Sequence, residues 1–338
     1  MTNSSALISA GSRTALRTLL LLGSLAAAGS CGSSPTQPPP VQIPQLTVTC
    51  TAPIEAQSSL GSPVPVTFGS PTTAGGQAPV TLSCTPPSGS VFNPGTTTIS
   101  CSATDSRGVT ATCSTSVFVR LPPRLVGSGR FLAFGDSITA GTPGTPATMM
   151  SVVVSPFAYP LQLELLLRTR YRLQAPTVLA EGIPGEQVQD GGIRRFRPLI
   201  QQMRPDVVIL MEGTNDVLNF SVGVDRAAAD LRTMVQQAKQ ENVRVLLSTI
   251  IPQRAGGLRQ RDPYVFSITV LNDRIRAIAT SENVPLVDMY AVFAQDLSLI
   301  GIDDVHPTAR GFQVMADTFF EAIKMHFEVP QPAAGLIR

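Results

Sequence analysis

The feature that most constrains this chain lies between residues 130 and 328, where short, nearly continuous apolar runs are separated by stretches of helical periodicity. The runs fall at 130–134, 177–180, 206–211, 243–250 and 284–288. Between them, Val224, Ala227, Leu231, Met234, Val235 and Ala238 share one helical face. Ile268, Leu271, Ile275 and Ile278 do likewise, as do Phe312, Met315, Ala316, Phe319, Phe320 and Ile323. A strand that is apolar throughout is buried on both faces, and an amphipathic helix must lay its stripe against a partner. The pattern predicts an α/β unit, a parallel sheet sandwiched by helices.

In such a sheet ligands bind outside the carboxyl ends of the strands. Gly135-Asp136-Ser137-Ile138-Thr139 follows the first run, Glu181-Gly182-Ile183-Pro184-Gly185 the second, and Gly213-Thr214-Asn215-Asp216 the third. Parallel strands bring all three loops to one edge. A serine hydroxyl becomes a nucleophile when a base takes its proton, and the chain has two histidines, His306 and His326. His306 stands in Asp303-Asp304-Val305-His306-Pro307, just before a final helix expected to begin near Thr308. A carboxylate three residues before the imidazole can be turned onto the ring and fix its tautomer. Asp303 is the expected acid and Asp304 the alternative. His326 falls near the end of the last helix, where a cation is merely favourable.

Each motif alone has a plainer reading. Gly-Asp-Ser is a common turn, Gly-Thr-Asn-Asp can end a strand and cap a helix, and Asp-x-x-His-Pro can be a surface turn or half a metal site. Their ordered occurrence at compatible strand ends argues for catalysis. Neither a cysteine nor a second histidine accompanies His306, so no metal or cofactor is expected.

On these motifs, residues 130–328 resemble the SGNH, or GDSL, hydrolases. The resemblance implies a flavodoxin-like sheet with Ser137 as nucleophile, His306 as base and Asp303 as orienting acid. It also implies an oxyanion hole formed by the backbone amides of Ser137 and Gly185 and the side-chain amide of Asn215. That set suits acyl transfer, in which fixed donors stabilise the oxygen that becomes negative, and asparagine offers an uncharged donor. The second block departs from the family, carrying Ala180 where asparagine is frequent. The activity implied is ester hydrolysis through an acyl-enzyme on Ser137, on small or polymeric esters. Lipid esters, thioesters and carbohydrate O-acetyl groups are all substrates within the family. A carbohydrate O-acetyl esterase, or a surface adhesion protein with an inactive hydrolase domain, are the competing readings. Asp288, in Val287-Asp288-Met289-Tyr290, is expected to make a structural helix–loop contact. Residues 141–156 are expected to form a substrate wall or lid, or a surface loop packed on the sheet edge.

The first 129 residues are built differently. Arg13 and Arg17 precede an apolar run from Leu19 to Ala28, too short to span a bilayer, so residues 1–30 read as an export signal. Ala28-Gly29-Ser30-Cys31 resembles a bacterial lipobox, which implies lipidation at Cys31. A cleaved, secreted form and an uncleaved anchor are the alternatives. Residues 31–45, rich in proline and serine, read as a tether. From 46 to 121 apolar residues alternate with threonine and serine between Gly/Pro turns, which predicts a small antiparallel sandwich. Cys50, Cys84, Cys101 and Cys113 lie here, an even number in an exported chain, implying two disulfides with three possible connectivities. Gly89-Ser90-Val91-Phe92-Asn93-Pro94-Gly95 and Cys101-Ser102-Ala103-Thr104-Asp105 resemble the hyalin-repeat (HYR) module, an immunoglobulin-like fold. That resemblance implies Cys50–Cys113 and Cys84–Cys101 pairs and a spacer, with a surface or polysaccharide contact as the other role. Residues 122–129 read as a linker and 329–338 as a tail. A net charge of +2 with 14% charged residues argues against a nucleic-acid partner.

Overall fold

The computed structural model describes residues 41–145, 156–218, 223–254 and 262–330, with the side chains of 262–265 excepted. The export segment, Cys31, most of the tether, the stretch 146–155 of the expected lid and the tail beyond 330 lie outside the described residues.

The N-terminal part is all β. Its strands are β1 (Thr47–Thr49), β2 (Ile54–Gln57), β3 (Val64–Pro65), β4 (Thr72–Ala74), β5 (Thr81–Thr85), β6 (Val91–Phe92), β7 (Gly95–Thr104) and β8 (Thr110–Arg120). The main sheet runs β2-β8-β7-β5, while β1 pairs with β4 and β3 with β6. Alternation puts Ile99, Cys101, Val117 and Val119 on one face, where Val66 and Phe92 cover them. Cys50 bonds Cys113 and Cys84 bonds Cys101. One expectation is corrected: the sheet is mixed, because β2 runs parallel to β8. Alternation of period two reports which face is buried and is blind to strand direction, which the path of the chain decides.

The C-terminal part holds a five-stranded parallel sheet of β9 (Arg130–Gly135), β10 (Thr177–Gly182), β11 (Val207–Met211), β12 (Arg244–Ser248) and β13 (Leu286–Val287). Its order is β10-β9-β11-β12-β13, so β9, the first strand, has the second and third on either side. The chain leaves β9 in one direction and returns on its other flank, which opens a crevice at the strands' carboxyl ends between β9 and β11.

The helices are α1 (Ser137–Ala140), α2 (Tyr159–Arg170), α3 (Ile193–Met203), α4 (Thr214–Leu218), α5 (Val224–Gln240), α6 (Asp262–Glu282), α7 (Met289–Ala294) and α8 (Ala309–Phe327). Alternate residues of the sheet serve two cores. Phe131, Ala133, Val207 and Ile209 meet Tyr159, Leu163, Phe312 and Phe319 from α2 and α8. Leu132, Phe134, Val208 and Leu210 meet Phe196, Leu231, Met234, Leu271 and Ile275 from α3, α5 and α6. Burial on both faces is why these strands read as continuous apolar runs.

Candidate active site

Gly135 ends β9 where its backbone passes so close to the Met211 carbonyl of β11 that a Cβ would collide with it. Asp136 then caps α1, its side chain accepting from the Ile138 N–H at 2.9 Å. Ser137 is therefore the first helical residue, buried at the crevice. The Thr139 and Tyr159 hydroxyls, 3.1 Å apart, tie α2 to the same turn.

His306 approaches from the loop before α8, which Thr308 caps by accepting from the Gly311 N–H. His306 Nε2 lies 2.8 Å from Ser137 Oγ, and its Nδ1 lies 2.5 Å from Asp303 Oδ2. The other oxygen of Asp303 accepts from the backbone N–H groups of His306 (3.0 Å) and Val305 (3.2 Å). Burial alone would raise the Asp303 carboxyl, but these bonds and the imidazole outweigh it and hold it below its ordinary value. Asp304 is fully buried at φ +67° and faces the other way, accepting from Arg254 Nε at 3.1 Å. Of the two adjacent acids, Asp303 is the one that meets the ring.

On the other flank the second and third loops interlock. Gly185, at φ +81°, is exposed. Asn215 Nδ2 donates to Glu186 O at 2.8 Å, Gln187 Nε2 donates to Asn215 O at 3.2 Å, and the Val188 N–H donates to Asp216 Oδ2 at 3.0 Å. Burial raises the Asp216 carboxyl to about 6, with Asp136 adding repulsion against the hydrogen bond from Val188. Asp136 is likewise raised, by burial first, against the Ile138 hydrogen bond and the pull of His306.

Two further residues near this site, Arg195 and Glu212, lie outside the sequence motifs. Arg195, on α3, donates from Nε to both Glu186 oxygens at 2.8 Å and from Nη2 to Glu181 O at 2.9 Å. Glu212, between the third strand and Gly213, is buried; an acid at the end of an apolar run is the one signal that could have pointed to it. Asp288 caps α7 through the Ala291 N–H and accepts from Arg276, a structural contact away from the relay. His326 lies in the last turn of α8. Among the described residues, the one close group of three metal-ligating atoms is Cys50, Cys101 and Cys113. Those sulfurs are in disulfides. No described helix is long and apolar enough to cross a membrane.

A family model, GDSL-like Lipase/Acylhydrolase, matches residues 133–314, more than half of the chain. The chain belongs to this family. It is an ester hydrolase, and the matched span runs from β9 through the Asp303–His306 loop into α8. No curated protein sequence matches it. Among solved structures, a putative GDSL-like lipase from Parabacteroides merdae shares the fold at a TM-score of 0.51 and 22% identity, over 60% of this chain and 98% of that one. A catalytic mutant of an acetylxylan esterase from Geobacillus stearothermophilus is 25% identical at a TM-score of 0.49, over 59% of this chain and 96% of that one. The lipase/acylhydrolase from Enterococcus faecalis is 24% identical at a TM-score of 0.49, over 60% and 99%.

Proposed function

We propose that this GDSL-family hydrolase cleaves esters through an acyl-enzyme on Ser137. The observation that carries the reading is the unbroken relay Ser137–His306–Asp303, which joins side chains 169 positions apart at 2.8 and 2.5 Å. His306 Nε2 takes the hydroxyl proton as Ser137 Oγ attacks the ester carbonyl. The oxygen made negative is received by the backbone N–H groups of Ser137 and Gly185 and by Asn215 Nδ2. His306 returns the proton to the leaving alcohol, then draws one from the water that hydrolyses the acyl group, and Ser137 is regenerated. Asp303, held ionised, keeps the proton-bearing Nδ1 in place and stabilises the transient imidazolium.

A p-nitrophenyl series from acetate to laurate, with fluorophosphonate labelling, tests the assignment. Ser137→Ala is expected to abolish both turnover and labelling while the circular dichroism spectrum is unchanged. Labelling that persists on another serine refutes it.

The segment 46–121 is proposed to be an HYR-like, immunoglobulin-like spacer on an exported protein anchored through Cys31. Its two disulfides support export, since such bonds persist in oxidising compartments. The basic and apolar stretch before Cys31 supports a lipoprotein signal. Labelled palmitate should enter the wild-type protein in cells and not Cys31→Ala. Wild-type protein that takes up no label would leave a cleaved, secreted form or an uncleaved anchor in its place.

A further inference from the structure

Next to the oxyanion loops lies a group that the reaction itself does not use. Asp136, Glu186, Glu212 and Asp216 are all buried, with Arg195 as the cation among them. Besides its bonds to Glu186 and Glu181 O, Arg195 Nη2 donates to Gly135 O at 3.2 Å, and its guanidinium lies 3.9 Å over the Phe134 ring. One side chain thus joins the end of the nucleophile strand to the loop that follows Gly185.

Glu212 is 1% exposed, and neither of its carboxylate oxygens has a hydrogen-bond partner among the described residues. It lies against Gly192, the last residue of a short π-helix (Val188–Gly192) that leads into α3. A Cβ on Gly192 would stand 2.6 Å from Glu212 Oε2, and one on Gly191 would collide with Glu186 Oε1. A side chain on either glycine would therefore evict an acid from this slot. An ionised carboxylate buried without a donor costs several kcal/mol, and such a group takes up a proton instead. The guanidinium is already engaged by Glu186, with Glu181 Oε2 4.0 Å from it. Burial, then repulsion from Glu186 and Asp136, accordingly push the Glu212 carboxyl well above its ordinary range, with Arg195 opposing.

We propose that Glu212 is a positioning residue: it fills the slot against Gly192, leaves Arg195 to Glu186, and so fixes the loop that carries Gly185 and braces Asn215. This rests on the catalytic reading above. The groups facing Glu212 are Asp136 from the nucleophile turn, Glu186 and Arg195 from the second loop and α3, and Asp216 from α4. If Glu212 ionised, it would repel Glu186, Asp136 and Asp216 and draw Arg195 away from Glu186. The oxyanion donors would then lose register, while the Ser137–His306–Asp303 relay on the opposite flank would persist. That predicts a fall in kcat without a change in KM.

The test measures kcat and KM of the full-length protein on p-nitrophenyl acetate from neutral to alkaline pH, for wild type, Glu212→Gln and Glu212→Ala. In the wild type kcat should fall on the alkaline side at constant KM. Glu212→Gln, isosteric and always neutral, should restore kcat at neutral pH to within about threefold of wild type and lack that fall. Glu212→Ala, which empties the slot, should lower kcat by about tenfold or more at every pH, as misplacement of reacting groups does. If Glu212→Ala does not fold, the comparison of wild type with Glu212→Gln decides alone. Superimposable alkaline limbs in those two overturn the proposal. So does a folded Glu212→Gln that is inactive at every pH, since the ionised carboxylate would then be required. A wild type that fluorophosphonate fails to label overturns the catalytic reading and this inference with it. A labelled, active wild type with superimposable limbs overturns this inference alone.

Discussion

The Asn215 carboxamide is divided between two tasks. One N–H of Nδ2 donates to Glu186 O at 2.8 Å, and the amide nitrogen carries a second N–H. The first bond sets the plane of the amide, and the second proton is the one proposed to meet the substrate oxygen. Removing an oxyanion donor costs about 10²–10³ in kcat, roughly 3–4 kcal/mol, whereas losing an ordinary hydrogen bond costs about 1 kcal/mol of stability. Asn215→Ala should therefore show a large loss of kcat, little change in KM and a small drop in Tm. A large drop in Tm with kcat per folded molecule nearly intact would make the residue purely structural. Asp303 and Asp304 show what sequence leaves open at this scale. They are adjacent and chemically identical, yet the φ of +67° at Asp304 turns one carboxylate to His306 and the other to Arg254. Spacing pointed to Asp303, the acid that lies against the ring, but nothing in the sequence pointed to the arginine beside Asp304.

At the scale of elements, legibility followed how cleanly each segment's period matched its burial. The inner strands β9, β11 and β12 appear as apolar runs because each is covered on both faces, whereas β10, at the sheet edge, keeps its apolar run with Leu179 exposed. The stripes on α5, α6 and α8 were likewise readable, because one side packs and the other is solvated. In α2, by contrast, Leu163 and Leu167 are buried while Leu161 and Leu165 are exposed, so leucine surrounds the helix and the period is lost. α3 carries three arginines and Pro198 in a short span, which hides the stripe of Phe196 and Ile200. β2, β4 and β6 are two to four residues long and mostly exposed, so too few alternations exist to register. The site divides in the same way. Ser137, Asn215, Asp303 and His306 sit in short motifs whose order is visible along the chain. The Arg195–Glu186–Glu212 group joins three separate elements and exists only once the sheet is assembled.

At the scale of the whole molecule, the described buried apolar residues of the two parts form separate clusters. The cluster of Val66, Phe92, Ile99, Val117 and Val119 shares no member with the two clusters that flank the parallel sheet. The sheet's own framework begins at Arg124, whose carbonyl accepts from the Val329 N–H at 2.8 Å, and at Leu125, which is buried in the α2–α8 core. Gln174 Nε2 donates to Leu125 O at 3.0 Å, and the Val126 N–H donates to Phe327 O at 2.8 Å. Everything from there to Glu328 is cysteine-free and has enough residues to bury a full core of its own. The small β part carries two disulfides, joining cysteines 63 and 17 positions apart. Losing one from a small domain costs about 2–5 kcal/mol, more for the longer loop. Removing residues 1–123 should therefore leave an active esterase whose kcat/KM on a small ester matches that of the longer chain and ignores dithiothreitol. With dithiothreitol, the full chain should lose its N-terminal β signal at a lower temperature than its activity. A tenfold or greater fall in kcat/KM on truncation would mean that the β part helps to build the active site, and the spacer reading would be wrong.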